Sequence, residues 1–173
     1  MSVPASTTEQ TAIASDDHRA NEGSDQLQLV TFEVGAEHFA VDILTVQEIN
    51  RMMQITRVPH SPDSLEGVIN LRGRIIPVID LRKRFGIAPS QDAEESRIVV
   101  VEVHKRTLGF IVDRVNEVLR VDTAVVDPTP ALAKGVESDF VRGVAKLDAR
   151  LVMLLDLDRL FSVAAIEDLA AVA

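Results

Sequence analysis

Arg72 and Arg74 stand either side of a glycine in NLRGRIIPVIDL, residues 70–81, with apolar runs before and after them. A charge carried on such a tip either serves a partner or belongs to an ordinary exposed turn. The other reactive side chains do not assemble into a catalytic set. His18, His38, His60 and His104 stand apart, without the spacing of a metal site. NLRGR and LAKGVES lack the phosphate-loop pattern, and no G-x-S-x-G elbow occurs. The adjacent carboxylates Asp16–Asp17 and Glu94–Glu95 lie in polar stretches, where solvation accounts for them. Asp42 and Glu48 flank an apolar stripe. They are either solvated strand-end charges or the polar rim of a docking groove. No catalytic residue, metal or cofactor is expected, and the chain reads as a binding module rather than an enzyme.

Composition narrows the partners. The 173 residues carry a net charge of −9, no Cys, no Trp, no Tyr and six Phe. Without Cys there are no disulfides, thiolate metal sites or thiol catalysis. The acidic balance opposes phosphate neutralisation, and base-stacking platforms are nearly absent, so an OB-like nucleic-acid binder is disfavoured. No apolar run approaches a membrane span, and the N-terminus lacks the basic and apolar regions of a secretory signal. A cytoplasmic location, without membrane insertion, is expected.

The elements that must hold Arg72 are mostly strands. Residues 1–26, rich in Ser, Thr, Ala and acids, are expected to be a disordered tail. LQLVTFEV and EHFAVDI are separated by the turn signal Gly35–Ala36. In ILTVQEI, Ile43, Val46 and Ile49 recur every third residue, which suits a short helix or an irregular strand. LEGVINL and RIIPVIDL flank the tip, and Pro77 places its strand at an edge or turns its nitrogen outward. RIVVVEV, TLGFIVDRV and NEVLRVD follow, then FVRGVAKL and RLVMLLDL. An Ala- and Leu-rich end reads as a C-terminal helix over residues 162–173.

The two halves of the chain repeat. GVINLRGRIIPVIDLRKRF aligns without a gap on GVAKLDARLVMLLDLDRLF, 76 residues later. Upstream, Val41–Asp42 resembles Val112–Asp113, and Val46-x-Glu48 resembles Val115-x-Glu117, with small insertions. This predicts a duplicated β module, with halves at 27–94 and 95–161 that can exchange strands, each too small for a large core of its own. Mirrored residues serve the module. Asp80 and Asp156 should cap helical turns, Gly67 and Gly143 should answer a backbone need, and Arg74 and Arg150 should snorkel or pair locally. Arg72 is unmirrored, because Asp148 stands in its place. The module does not require it, which leaves a partner role or drift on an exposed turn.

FAVDILTVQEI, GVINLRGRIIPVIDLRKRF, GFIVDRVNEVLRV and RLVMLLDLDRLF, in that order over residues 27–161, resemble the CheW family of bacterial chemotaxis coupling proteins. The resemblance implies an all-β fold with short helices, two packed five-stranded SH3-like barrels. It implies a non-catalytic adaptor without cofactors. Its partners would be the cytoplasmic tip of methyl-accepting chemotaxis receptors and the regulatory domain of the histidine kinase CheA, in arrays beneath the membrane. A scaffold in another chemosensory circuit, such as motility or surface sensing, is the alternative. Carried over by motif, the receptor groove would use Ile43, Val46, Glu48, Gly67, Arg72 and Val118. The kinase-facing surface would use Ile55, Thr56 and Arg57, and a second, ring-forming contact would lie near PTPALAKGVESDF. The sequence departs from the family at Arg74, where an apolar residue is common, and in its longer, acidic tail.

Overall fold

The computed structural model describes residues 26–61, 63, 65–88, 93–127, 140–147 and 149–161. The expected tail up to residue 25, the expected C-terminal helix, Asp148 and residues 128–139 lie outside the described residues. The described chain is mainly β. Its strands are β1 (Gln26–Val34), β2 (Glu37–Asp42), β3 (Val46–Arg51), β4 (Leu65–Leu71), β5 (Arg74–Asp80), β6 (Arg97–Val103), β7 (Arg106–Val112), β8 (Arg114–Asp122), β9 (Val126–Asp127), β10 (Val141–Leu147) and β11 (Arg150–Leu155). They form two sheets, ordered β8-β1-β2-β11-β10-β9 and β3-β6-β7-β5-β4.

Each sheet combines strands from both halves of the chain. The β1–β2 hairpin joins the later strands through a parallel pairing of β2 with β11. The β6–β7 hairpin joins the earlier strands through a parallel pairing of β7 with β5. The chain therefore passes between sheets at Ile43–Thr45, a single 3₁₀ turn, and again at Asp113. The apolar runs in β6, β7 and β11 follow from this, because these strands are buried on both faces. Val99, Val101, Val103, Leu108, Phe110, Met153 and Leu155 enter one large cluster between the sheets. The alternate residues Ile98, Val100 and Ile111 enter a smaller cluster within the five-stranded sheet. Val152 and Leu154 enter another within the six-stranded sheet. Phe32 lies centrally between the sheets, with ring centroids 6.0 Å from Phe39 and 5.5 Å from Phe110.

The mirrored glycines have the same physical cause. After β3 the chain turns back, and Thr56 exchanges two 2.9 Å backbone hydrogen bonds with Val68 of β4. A Cβ on Gly67, whose φ is 155°, would collide with the Thr56 carbonyl. In the other sheet β9 lies against β10, and a Cβ on Gly143 would come 2.6 Å from Val126 Cγ1 and 2.9 Å from the Asp127 oxygen. Both glycines also adjoin a register shift, between Leu65 and Gly67 on β4 and between Val141 and Gly143 on β10. The repeat thus preserves a bulge and a close crossing together.

The aspartate caps form as the repeat predicts. Asp80 accepts from the Arg82 N–H at the turn Leu81–Phe85, and Asp156 from the Arg159 N–H at Leu157–Leu160. Asp80 does more than cap. Its carboxylate also holds the Arg82 guanidinium, whose Nη1 donates to Asp113 at 3.2 Å. Asp113 in turn accepts from the Gly35 N–H at 2.6 Å. One buried cluster therefore ties the end of β5, the β7–β8 crossover and the β1–β2 turn. Pro77 departs from one expectation, since β5 is an interior strand, between β4 and β7. Opposite it, Val68 spends its N–H and C=O on Thr56, and pairing with β7 runs from Val78 onward. No ladder bond is asked of the proline nitrogen.

Two stability outcomes follow. Gly67→Ala should lose about 1–3 kcal/mol by overpacking against Thr56, read as a lower urea midpoint. Asp113→Ala leaves Arg82 half-paired in a buried site and should cost about 3 kcal/mol, measured the same way.

Candidate functional site

Leu71 pairs with Arg74, so Arg72 and Gly73 form a two-residue hairpin turn, with φ of 53° and 83°. Asn70 Oδ1 accepts from the Gly73 N–H at 2.9 Å. Turns with both central residues at positive φ favour Asn, Asp or Gly, and a long side chain there is disfavoured. The second half of the repeat places Asp148 at the matching position, a residue suited to such a turn. Turn preference does not explain Arg72, so the reason for an arginine lies in what its side chain reaches.

It reaches Glu48. Arg72 Nη1 donates to Glu48 Oε2 at 2.7 Å, and Asn50 Nδ2 donates to Glu48 Oε1 at 2.7 Å. The Arg72 side chain remains 75% exposed while that of Glu48 is 24% exposed, so the pair sits at a rim. β3 and β4 are the opposite outer strands of their sheet, and the pair spans them on the side where Thr56 meets Val68. A bulge positions Glu48. Val46 pairs with Val101 but Glu48 with Val100, leaving Gln47 extra. Val46 thereby packs on the core between the sheets, whereas Glu48 turns toward the other face. In a regular strand residues two apart would share a face. The hydrogen bond from Arg72, and then that from Asn50, holds the Glu48 carboxyl below its ordinary range. The Glu48 carboxylate raises the Arg72 guanidinium in return.

The other sequence candidates take different places. Ile43 and Val46 are half-buried against the core between the sheets, beside an almost fully exposed Leu44 on the 3₁₀ turn. Val118 is half-exposed on β8, an outer strand of the other sheet. Gly67 is buried beneath Thr56, so it offers a partner no side chain or free surface. Ile55 is half-buried against the core of the five-stranded sheet, and Thr56 is an exposed residue whose backbone meets β4. Arg57 is exposed and lines a polar cleft with His60, Asp63, Glu66 and Lys83. Asn50 and the Arg82–Asp113 cluster were not among the sequence candidates. The sequence signal for the cluster was the match of Asp113 to Asp42 across the repeat.

The second half builds a related pair from different residues. Glu117, the counterpart of Glu48, lies beside the same kind of bulge, where β8 shifts register against β1. Arg150 Nη2 donates to it at 3.2 Å. Arg150 is the counterpart of Arg74, not of Arg72, so the expectation of local pairing holds for Arg150. Arg74 instead donates to the Thr107 hydroxyl at 3.1 Å.

The family model described as CheW-like domain matches residues 28–165. A probable chemotaxis protein CheW of Rhizobium etli is 38% identical over 135 residues, 78% of this chain and 87% of that protein. The chemotaxis protein CheW of Thermotoga maritima is 38% identical over 136 residues, 78% of this chain and 87% of that protein. The crystal structure of the scaffolding protein TtCheW from Thermoanaerobacter tengcongensis is 39% identical and superposes with a TM-score of 0.75, covering 82% of this chain and 91% of that one.

Arg72→Asn should leave the melting temperature unchanged or raised, because Asn suits the turn. It should also return the Glu48 pKa toward 4.5, its ordinary value. A carboxyl depressed in the folded state adds stability above its ordinary pKa and loses it as pH falls through the folded value. The pair is therefore intact at neutral pH and opens only in acid. Carboxyl NMR titration of both proteins checks this, and an unchanged Glu48 titration in the variant would contradict the pairing.

Proposed function

The chain belongs to the CheW-like family and is a chemotaxis adaptor, and we propose that it couples the cytoplasmic tips of methyl-accepting chemotaxis receptors to the regulatory domain of CheA, catalysing nothing itself. The observation that carries this reading is the Arg72–Glu48 pair. An arginine is kept on a turn that disfavours it, exposed, and anchored to a carboxylate at a strand edge. Ile43 and Val46 supply half-buried apolar surface on the same stretch as Glu48, and Val118 supplies an exposed apolar side chain on the other sheet. A receptor helix laid between the sheets would meet apolar contacts along its length and a fixed ion pair at the rim. Gly67 contributes indirectly, by letting the Thr56 segment close against β4.

The kinase-facing surface is read as Thr56 and Arg57, with Ile55 beneath them. Arg57 is exposed and free of any ion pair among the described residues, so it is available to a carboxylate of the kinase. Each sheet is read as a small barrel of the SH3-like kind, assembled from exchanged strands of the two chain halves. Support comes from the Thr56–Val68 bridge in one sheet. In the other, a three-residue turn joins the outer strands β8 and β9. Among the described residues no helix is long and apolar enough to cross a membrane. The adaptor is placed in the cytoplasm, brought to the membrane by its receptors.

Reconstitution with receptor and CheA tests this directly. Receptor control of CheA autophosphorylation should depend on adding the chain, and Arg72→Asn should weaken that control while the protein stays folded. Failure to bind either partner, with no effect on the kinase, would refute the proposal.

A further inference from the structure

Two residues of the first half depart from the repeat around a carboxylate that both halves keep. Glu48 and Glu117 are equivalent, 69 residues apart. Arg72, which binds Glu48, stands where the second half has Asp148. The other departure is Asn50, which stands where the second half has Leu119, again 69 residues on.

The strand register shows what the module uses this position for. Leu119 lies opposite Leu29 and packs against the core within the six-stranded sheet. Asn50 lies opposite Ile98, the counterpart of Leu29, which is buried in the core within the five-stranded sheet. A half-buried amide therefore takes the place of an apolar side chain at the edge of a core. Such an amide forfeits apolar burial and needs a hydrogen-bond partner.

That partner is Glu48. Asn50 Nδ2 donates to Oε1 at 2.7 Å and Arg72 Nη1 to Oε2 at 2.7 Å, so each carboxylate oxygen is held. The carboxylate cannot turn without breaking both bonds. Its counterpart Glu117 accepts from Arg150 at 3.2 Å and its side chain is 56% exposed, against 24% for Glu48. The two unmirrored residues thus converge on one carboxylate, and packing of the module accounts for neither.

We propose that Asn50 is a positioning residue of the receptor site, fixing the Glu48 carboxylate so that Arg72 is presented to the receptor tip in one orientation. A pair already ordered in the free protein loses less side-chain freedom on binding. This deepens the reading of Arg72–Glu48 as part of the receptor surface, and rests on it.

The test uses the full chain as Asn50→Leu, as Asn50→Ala, as Arg72→Asn, and as Asn50→Leu combined with Arg72→Asn. Binding is measured to a soluble cytoplasmic receptor fragment and, separately, to the CheA regulatory domain, beside the melting temperature and carboxyl NMR titration of Glu48. Asn50→Leu should bind the receptor fragment about threefold to tenfold more weakly. CheA binding should persist, and the melting temperature should be unchanged or raised, because leucine is the residue the module uses here. Glu48 should titrate closer to 4.5, a readout that a merely structural role would leave alone. In the Arg72→Asn background, Asn50→Leu should weaken receptor binding by less than about twofold more, since both residues act on one carboxylate. Asn50→Ala should weaken receptor binding to a similar degree and keeps the proposal testable should the leucine variant not fold. Wild-type receptor affinity in the Asn50 variants, or a full additional loss in the Arg72→Asn background, would overturn the positioning role and leave the adaptor reading standing. Equal losses toward receptor and CheA with a lowered melting temperature would overturn it too, by making Asn50 a structural residue. If the wild type bound neither partner, the adaptor reading would fall and this role with it.

Discussion

The fold depends on one shared apolar layer between two sheets that are each too thin to stand alone. Within the five-stranded sheet the described core holds six buried side chains, and within the six-stranded sheet five. The layer between them holds most of the buried large residues, including Phe32, Phe39 and Phe110. A small sheet that buries only one face leaves too little apolar area removed from water to offset chain entropy. Burial of both faces supplies it, and the exchange of hairpins between the chain halves makes that burial continuous. The parallel pairings β2–β11 and β5–β7 are the joints of this exchange.

The surface proposed for the receptor is a consequence of the same layer. Because the chain leaves one sheet at Asp42 and enters the other at Val46, Ile43 and Val46 lie where the sheets meet. The bulge at Gln47 then lets neighbouring residues of one strand serve different faces, apolar toward the core and acidic toward the rim. Asp113, with Arg82 and Asp80, fixes the opposite crossover. Such a clustered charge site costs desolvation, and its value lies in geometry: an apolar replacement would not hold three segments at defined angles.

Much of the scaffold was legible because the repeat supplied an internal comparison. Mirrored glycines, aspartate caps and strand pairs each meet the need that duplication implied, since a residue retained twice serves the module. The tip was read less well. Mirroring marked Arg74 as structural and Arg72 as spare, yet Arg72 has the carboxylate and Arg74 has none. The duplicated arginines find different neighbours because Asp148 replaces Arg72 in the second half, which leaves Glu117 for Arg150. Pro77 left two readings open, an edge strand or a nitrogen turned away from the ladder, and with β5 interior the second is the one that fits. A missing donor signals an edge only if its neighbours demand the bond, and here Val68 is already paired with Thr56.

The sequence by itself determined the β character, the duplication, the caps, the two glycines and the family resemblance, because these follow from local periodicity and from residues compared at a constant spacing. It did not determine which strands share a sheet, which face Glu48 presents, or which cation is neutralised. Those depend on hairpin exchange, on single-residue bulges that change a side chain's face, and on contacts between residues 24 or more positions apart. Only the folded chain brings such partners within hydrogen-bonding distance, and that proximity decides which arginine is anchored to a carboxylate and which to a hydroxyl.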